Sequence, residues 1–506
     1  MEYIKSAVKN SYLVLFLSLF GIIIGYALRI FLSRSLTIED FGLFYAVSAF
    51  VGLFTIVRYI GLNQALTKFI PEFIVKKEKI KIKSSVVLVL IIQGITILAF
   101  TAFVFLFENN LSASLFRSDM AGAVLILMTL SFFPSMFFTV FQSVFQGYQK
   151  FKTYALVEPI RISLTFTFSI VFIGLGVAGI ALAYLAAAIV TSAVFLFSFH
   201  RLGTGPKIEL SSDLTKKLFR FAIPVFMGSI ALIVINFTDT IVITFFRTLE
   251  EVALYQVALP TTQLLLVFSS AIAAVVFPLV SYLYSGKKIQ EIGRGIRIIT
   301  VVLMFVLLPF VILMFSFPEI IIQILFSSQF LPAANTMRIL SIGMIFYSMF
   351  VVFQTTLDGI GKPFINTKIM FSMAALNLVI NLALVPVMGI MGSAVAFSAT
   401  FLIGTLVGFN YVKKHTSLSL AYLRMAKIFF GAFISIAVIH AIKIWIDVPI
   451  YEELIVALLV GWLVFLTVVI GSRCITREDI DFIESKNMQL PASLKRAAKM
   501  IFRRRK

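Results

Sequence analysis

Apolar runs of about twenty residues recur along almost the whole chain, separated by short polar connections. A helix rises about 1.5 Å per residue, so a run of this length crosses the roughly 30 Å hydrocarbon core of a bilayer. Counting the runs predicts fourteen spans, near 12–33, 41–63, 84–107, 120–145, 154–174, 177–199, 219–246, 252–283, 296–316, 333–357, 365–386, 389–410, 424–443 and 451–472. Backbone polar groups find no water in lipid, so the spans should be helical and the protein an all-α polytopic membrane protein.

Composition and charge agree with a membrane protein. Of the 506 residues, 60% are hydrophobic and 13% charged, which is too apolar for an ordinary soluble domain. A net charge of +20 would suggest nucleic acid in a soluble protein, but in a membrane protein it reflects basic cytoplasmic loops. Cys474 is the single cysteine, which excludes an internal disulfide. The first apolar run is also too long for the core of a cleavable signal.

Lysine and arginine alternate between rich and poor connections. The poor connections hold only Arg34, Arg117, Arg247, Arg338 and Lys443, and nearly all the other cations fall on the opposite side. Cytoplasmic loops carry the basic excess, so this alternation predicts a cell-membrane protein with both termini in the cytoplasm. An even number of spans is required, in agreement with fourteen.

Several segments recur about 210 residues apart. The segment QGYQKF at 146–151 matches DGIGKP at 358–363, and LGVAGIALAYL at 175–185 matches MGIMGSAVAFS at 388–398. The polar turn that starts at Arg34 likewise resembles the turn at 247–251. The repeat unit is six spans. Because six is even, both copies enter from the cytoplasm, and a pseudo-two-fold axis along the membrane normal is expected.

This repeat predicts a division of the chain into parts. We expect an N-terminal six-helix lobe at 1–200, a cytoplasmic linker at 201–217, a C-terminal six-helix lobe at 218–415, two extra helices at 416–472 and a basic tail at 473–506. The tail alternates cations with apolar residues, so it should lie on the anionic lipids of the cytoplasmic leaflet.

The order and spacing of several motifs resemble a known family. They are RSLTIEDFGLFYAVSAF after span one, IGLNQALTKFIPEF after span two, NFTDTIVITFFRTLEEVALYQVA across spans seven and eight, and FSSQFLPAANTMRILSIG before span ten, together with the paired glycines. They resemble the Wzx-type polysaccharide and oligosaccharide-lipid flippases of the multidrug/oligosaccharidyl-lipid/polysaccharide exporter superfamily. The resemblance implies a two-lobed, MATE-like transporter that moves a polyprenyl-(di)phosphate-linked oligosaccharide to the outer leaflet. It fixes neither the sugar nor the coupling ion.

Three arginines lie within predicted spans of the N-terminal lobe: Arg29, Arg58 and Arg161. An arginine near the bilayer centre costs about 2.5 to 3.5 kcal/mol, so each should face a cavity or a partner. The planar guanidinium suits diphosphate oxygens, which makes all three candidate substrate ligands. A more distant similarity to lipid II flippases places a basic cavity residue at or beside Arg58.

Each arginine also has a structural alternative. Arg161 follows Glu158 by one helical turn and could pair with it. Arg29 could extend to the outer headgroups, and Arg58 could pair with a carboxylate of another helix.

Asp239 is the clearest carboxylate within the C-terminal lobe, and Asn236 lies one turn before it. Intramembrane carboxylates either couple transport to a cation or hold helices together, and the sequence leaves both roles open. A coupling cation is therefore a candidate partner, beside the lipid-linked substrate and the membrane lipids.

Two other functions are alternatives to this interpretation. A cation-coupled multidrug exporter of the same architecture would need a cavity more acidic and aromatic than basic. A membrane ligase or polymerase of polysaccharide assembly would need a catalytic loop exposed to water, but the outer connections are short and carry no catalytic or metal-ligand motif. No enzymatic activity and no redox cofactor are expected.

Overall fold

A computed structural model of the chain describes residues 2–55, 61–200, 208–445 and 450–472, together with Cys474, Thr476 and Asp479. The described residues form helices and connections without any strand, which confirms the all-α fold. Residues 201–207 of the predicted linker and almost all of the predicted basic tail lie outside the described residues.

Long helices account for most of the described chain, interrupted by short 3₁₀ or π segments. The α-helices are α1 (Glu2–Ser35), α2 (Ile38–Leu53), α3 (Leu62–Val75), α4 (Lys79–Asn110), α5 (Ala121–Leu130), α6 (Phe132–Gly147), α7 (Phe151–Phe172), α8 (Gly176–His200), α9 (Ser212–Phe246), α10 (Leu249–Gln263), α11 (Leu266–Ser285), α12 (Ile289–Ser316), α13 (Pro318–Leu325), α14 (Ala334–Gly359), α15 (Pro363–Met388), α16 (Ile390–His415), α17 (Tyr422–Trp445) and α18 (Ile450–Gly471).

Eleven helical stretches of the described chain are long and apolar enough to cross a membrane. One of them, Phe151–Phe199, covers α7 and nearly all of α8, so the eleven stretches overlap twelve of the predicted spans. The predicted span 252–283 is covered only from Leu266 onward. The predicted span 41–63 runs through residues 56–60, which are not described. The last predicted span contains a shorter apolar helix, Ile455–Gly471. The protein is therefore a multi-pass membrane protein, and fourteen spans are compatible with the structure.

The predicted span at 252–283 is two helices rather than one. Helix α10 ends at Gln263 and α11 begins at Leu266, with Pro260 and Pro278 each inside a helix. The break falls in the turn after Pro260, where Leu264 N donates to Thr261 O at 3.3 Å instead of to the carbonyl one residue earlier. Proline removes one N–H from the helical ladder and strains the preceding turn, so it favours an end to the helix nearby.

Within the described ranges, one type of helix-ending turn occurs four times, at positions that follow the sequence repeat. Lys77, Gln149, Lys287 and Gly361 all have left-handed backbones, with φ of 57°, 58°, 57° and 76°. In each turn the following residue donates to a carbonyl five residues back, at 2.8 to 2.9 Å, as in a Schellman motif. Lys77 precedes Lys287 by 210 residues and Gln149 precedes Gly361 by 212. The repeat period is therefore present in the backbone.

The paired glycines also share a backbone geometry. Gly176 has φ 62° and ψ −146°, and Gly389 has φ 58° and ψ −138°. A residue with a Cβ cannot adopt these angles without strain, so each site requires glycine. Three residues later, a Cβ on Gly179 would lie 2.0 Å from Phe172 O, and one on Gly392 would lie 2.6 Å from Leu384 O. Both pairs fix the tight turn that begins a helix.

The chain forms two compact units, residues 1–256 and 257–506. In the N-terminal unit α9 packs on α2 and α3, and a core of Phe69, Phe73, Val144, Leu218 and Ala222 joins α3, α6 and α9. In the C-terminal unit α14 packs on α16, with the rings of Tyr347 and Phe401 3.9 Å apart. The predicted six-helix lobes at 1–200 and 218–415 have other boundaries than these two units, and the division into lobes stays a prediction.

Helices α2 and α10 approach each other closely at Gly42. A Cβ on Gly42 would lie 1.9 Å from Leu249 O and 3.3 Å from Ala253 N, and both of these are backbone atoms. We expect Gly42→Ala to lower the free energy of unfolding by about 1 to 3 kcal/mol or more, because one backbone must move. The melting temperature of the purified protein in detergent measures this loss.

Gly94→Ala is the matched control, since a Cβ there meets nothing within 4 Å. Alanine in a helix interior is about 1 kcal/mol more favourable than glycine, so this variant should melt at or above the wild-type temperature. Equal melting temperatures for the two variants would contradict the close approach of α2 and α10.

Candidate functional site

The hairpin of α9 and α10 brings together the polar residues of the site. Its turn is closed locally: Arg247 Nε lies 2.9 Å from Glu251 Oε1, and Glu251 N donates to Thr248 Oγ1 at 3.3 Å. Thr37 caps α2 in the same way, accepting from Asp40 N at 3.1 Å. Because the turn is so short, residues 239–240 of α9 lie beside residues 255–256 of α10.

Asp239 is buried in this hairpin, with 2% of its surface exposed. The hydroxyl of Tyr255, which is also buried, donates to Asp239 Oδ2 at 2.6 Å. Burial of a carboxylate without hydrogen bonds costs much free energy, so the Tyr255 hydroxyl stabilises Asp239 in its buried position. Asn236, predicted as its companion, is exposed. The structure thus places Asp239 and Asn236 in different environments.

Arg29 lies half-buried on α1 and contacts the same hairpin. Its Nη1 donates to Gln256 O at 2.6 Å and to Gln256 Oε1 at 3.1 Å. Its guanidinium carbon lies 4.1 Å from the ring centroid of Tyr45 on α2. Gln256 Nε2 in turn donates to Thr240 Oγ1 at 2.7 Å. The guanidinium of Arg29 therefore joins α1 to α2 and α10, and Gln256 extends the contact to Thr240 of α9.

The carbonyl that accepts from Arg29 is available because of a proline. In a regular helix Gln256 O would accept from the N–H of residue 260, and Pro260 has none. A carbonyl without a donor is costly where no water reaches it. The arginine thus supplies the hydrogen bond that the helix lacks. A proline four residues after a polar residue is a signal that the sequence does contain, but the donor comes from 227 residues away.

Arg161 forms the pair with Glu158 that the one-turn spacing suggested. Its Nε donates to Glu158 Oε2 at 3.0 Å, and Nη2 contacts Oε1. Glu158 also lines a cavity of about 510 Å³ between α1, α6 and α7, beside Gly21, Gly25 and Gln142. Arg29 therefore binds Gln256, whereas Arg161 binds Glu158. The carboxylate of Glu158 also faces this cavity.

Arg58 lies outside the described residues, so the structure does not place the third predicted arginine. Tyr45, Tyr255 and Gln256 are the site residues that sequence reasoning missed. An apolar span with a single tyrosine or glutamine carries no pattern that distinguishes a partner for a buried charge from an ordinary packing residue.

Comparisons with known proteins agree with this architecture. Residues 7–283 match a family model described as polysaccharide biosynthesis protein, and residues 224–383 match the MatE model. An uncharacterized membrane protein of Methanocaldococcus jannaschii is 31% identical over 414 residues, which cover 78% of this chain and 82% of that protein. A probable low-salt glycan biosynthesis flippase of Haloferax volcanii is 25% identical over 473 residues, covering 92% of this chain and 96% of the relative.

Solved structures share the fold at low identity. The lipid II flippase MurJ in its inward closed conformation superposes with a TM-score of 0.76 at 16% identity, covering 91% of this chain and 99% of that one. An inward-facing MATE family multidrug resistance transporter gives a TM-score of 0.62 at 18% identity, covering 77% and 93%. The chain therefore belongs to the polysaccharide biosynthesis protein family, within the multidrug/oligosaccharidyl-lipid/polysaccharide exporter superfamily.

Proposed function

We propose that the protein flips a polyprenyl-(di)phosphate-linked oligosaccharide from the cytoplasmic to the outer leaflet, for export of a surface glycan. The observation that carries this proposal is the similarity to the Haloferax glycan flippase along almost the whole chain. The fold shared with MurJ is consistent with it. Movement by alternating access between two lobes is the corresponding mechanism, because a sugar headgroup must not meet the hydrocarbon core.

The chemistry of Arg29 suits a diphosphate. Among the described residues, its hydrogen bonds to Gln256 both leave from Nη1. Its Nε and Nη2 could therefore form a bidentate pair with phosphate oxygens while Nη1 holds the helix. We propose Arg29, Arg58 and Arg161 as substrate-binding residues. For Arg161 such a role requires the substrate phosphate to compete with the carboxylate of Glu158.

A reconstituted flipping assay tests the function directly. Liposomes that contain the purified protein and a polyprenyl-diphosphate-linked oligosaccharide with a fluorescent sugar should lose the fluorescence of both leaflets to an impermeant quencher. Protein-free liposomes should lose only that of the outer leaflet. A polyprenyl alcohol with the same fluorophore and no diphosphate is the matched substrate control. Equal quenching with and without protein would contradict the proposed function.

The proposed direction of flipping is defined relative to the predicted topology, which cysteine labelling tests. In a Cys474→Ala background, single cysteines at Lys288 and Lys414 should resist an impermeant thiol reagent in intact cells, and one at Glu250 should react. The reason is the concentration of lysine and arginine on the predicted cytoplasmic side. Labelling at position 288 from outside would contradict the fourteen-span topology.

A cation-coupled multidrug exporter is the second candidate function. The MatE match over residues 224–383 favours it, since that range includes the buried Asp239. Export of a cationic dye by cells that express the protein, without flipping of the labelled lipid, would select this alternative. The named relatives with an assigned activity are flippases and transporters, so we set aside a ligase or polymerase.

A further inference from the structure

A basic pocket lies in the N-terminal unit, between α3 and the first turns of α9. It is open to the surface and has a volume of about 460 Å³, and its lining is Lys68, Phe69, Asp213, Lys216, Lys217, Arg220 and Phe221. Four cations thus surround one carboxylate. We call this lining the α3–α9 pocket.

The charge of the α3–α9 pocket is only partly balanced. Lys217 Nζ lies 2.8 Å from Glu72 Oε1. Hydrogen bonds from Lys217 and Lys76 lower the pKa of Glu72 to about 2, so this partner is ionised at neutral pH. Among the described residues, no carboxylate forms an ion pair with Lys68, Lys216 or Arg220. A positive charge therefore remains for an anion.

Aromatic rings form the other wall of the pocket. Lys68 Nζ lies 4.1 Å from the ring centroid of Phe221, and Lys217 Nζ lies 4.7 Å from that of Phe69. Such contacts hold the ammonium groups in place while their remaining N–H donors stay available. The rings also present an apolar surface beside the cations. A lipid phosphate would contact the cations, and the adjoining hydrocarbon would contact the rings.

The length of α9 places the pocket near the headgroups. This helix has 35 residues, so it is about 52 Å long and exceeds the roughly 30 Å hydrocarbon core. Its first turns should therefore extend past the core, on the side that the lysine distribution assigns to the cytoplasm. Basic residues at a cytoplasmic boundary commonly do no more than set the orientation of the helices in the membrane. Here residues 68 and 216–220 are far apart in sequence, yet they line one concave space together with two aromatic rings.

We propose that the α3–α9 pocket binds the phosphate of a lipid headgroup at the cytoplasmic surface, and that it captures the lipid-linked (di)phosphate before translocation. Capture of the lipid-linked substrate rests on the proposed function, whereas phosphate binding does not. The same phosphate chemistry could come from the polyprenyl diphosphate or from an anionic phospholipid, and experiment distinguishes these two sources.

The test uses the full-length protein in phosphatidylcholine nanodiscs. One probe is radiolabelled geranylgeranyl diphosphate, whose dissociation constant is measured directly. The other is phosphatidylglycerol, whose enrichment around the protein is measured by native mass spectrometry. In the Lys216→Ala/Arg220→Ala variant we expect binding of a phosphate probe to weaken about tenfold or more, because two charge-assisted donors are lost. The wild-type affinity should also fall with added salt.

The matched control is Lys413→Ala/Lys414→Ala, two exposed lysines at the end of α16 that lie outside the pocket. It loses the same number of cations from the same predicted side and should bind like wild type. A melting temperature and a monodisperse elution profile show that each variant folds. If the double variant does not fold, Arg220→Gln alone replaces it, since this side chain is exposed.

The outcomes distinguish phosphate binding by the pocket from capture of the lipid-linked substrate. Weakened diphosphate binding supports capture of the lipid-linked substrate, whereas loss of phosphatidylglycerol enrichment alone supports the phosphate site and overturns capture. Unchanged binding of both probes overturns the whole proposal. If wild type flips the labelled lipid and the variant flips it with the same apparent affinity, capture fails and the proposed function stands. If wild type flips nothing but the variant loses phosphate binding, the proposed function fails and the phosphate site stands.

Discussion

Arg29→Ala is expected to abolish transport and to lower the melting temperature. The substitution removes two hydrogen bonds to Gln256 and the contact with the Tyr45 ring, and it leaves Gln256 O without the donor that Pro260 cannot supply. A hydrogen bond from a charged donor contributes about 1.5 to 3 kcal/mol, and an orphaned acceptor costs about 1 to 3 kcal/mol. Thermal unfolding in detergent and the flipping assay measure the two effects separately.

A second substitution distinguishes the structural role of Arg29 from substrate binding. Pro260→Ala returns an N–H to the helix at the position that faces Gln256 O. In the Arg29→Ala background it should recover much of the lost stability, whereas in wild type the carbonyl already has a donor and the gain should be small. This non-additivity is the signature of one shared acceptor.

Transport by the stabilised double variant then shows whether Arg29 binds the substrate or only stabilises the fold. If Arg29 binds the substrate phosphate, Arg29→Ala/Pro260→Ala regains stability but does not flip lipid, and Arg29→Lys retains partial activity. If flipping returns together with stability, Arg29 is a structural residue and its assignment as a ligand is wrong. Equal stability of Arg29→Ala and wild type would refute the contact with Gln256.

Asp239→Asn is expected to remove the dependence of transport on an ion gradient while the protein still accumulates. Asparagine keeps the shape and an acceptor for the Tyr255 hydroxyl, which lies 2.6 Å from Asp239 Oδ2. It removes only the negative charge that would bind a cation. A coupling free energy of 1 to 3 kcal/mol corresponds to about a 5- to 150-fold effect, so stimulation of at least about fivefold should vanish. Flipping in proteoliposomes with and without sodium or proton gradients measures it.

Tyr255→Phe is the matched control for Asp239. It removes the donor but leaves the carboxylate, so stability should fall by about 1 to 3 kcal/mol while the stimulation by the gradient persists. If Asp239→Asn instead prevents accumulation, or if stimulation survives in it, the carboxylate holds the helices together and does not couple transport to a cation.

The sequence by itself determined the class of the protein, its all-helical character and its family. Apolar runs of membrane length allow only helices in lipid, and local patterns reveal such runs without knowledge of the partners. The repeat was equally visible, because sites such as Gly176 and Gly389 require glycine and so keep the same residue at matching positions. The pairing of Arg161 with Glu158 could also be predicted from local sequence, because one helical turn separates the two residues.

Only the tertiary structure decided which distant residues share a charge or an acceptor. Arg29 meets Gln256 across 227 positions, and Lys68 lines a pocket with residues near 220. Helical periodicity shows which face of a helix is apolar, but it does not show which other helix covers that face. Asp239 and Asn236 illustrate the limit: they lie one turn apart, yet packing against α10 buries the first and leaves the second exposed. The hydrogen-bond partner of an intramembrane charge is therefore a property of packing, and packing is non-local.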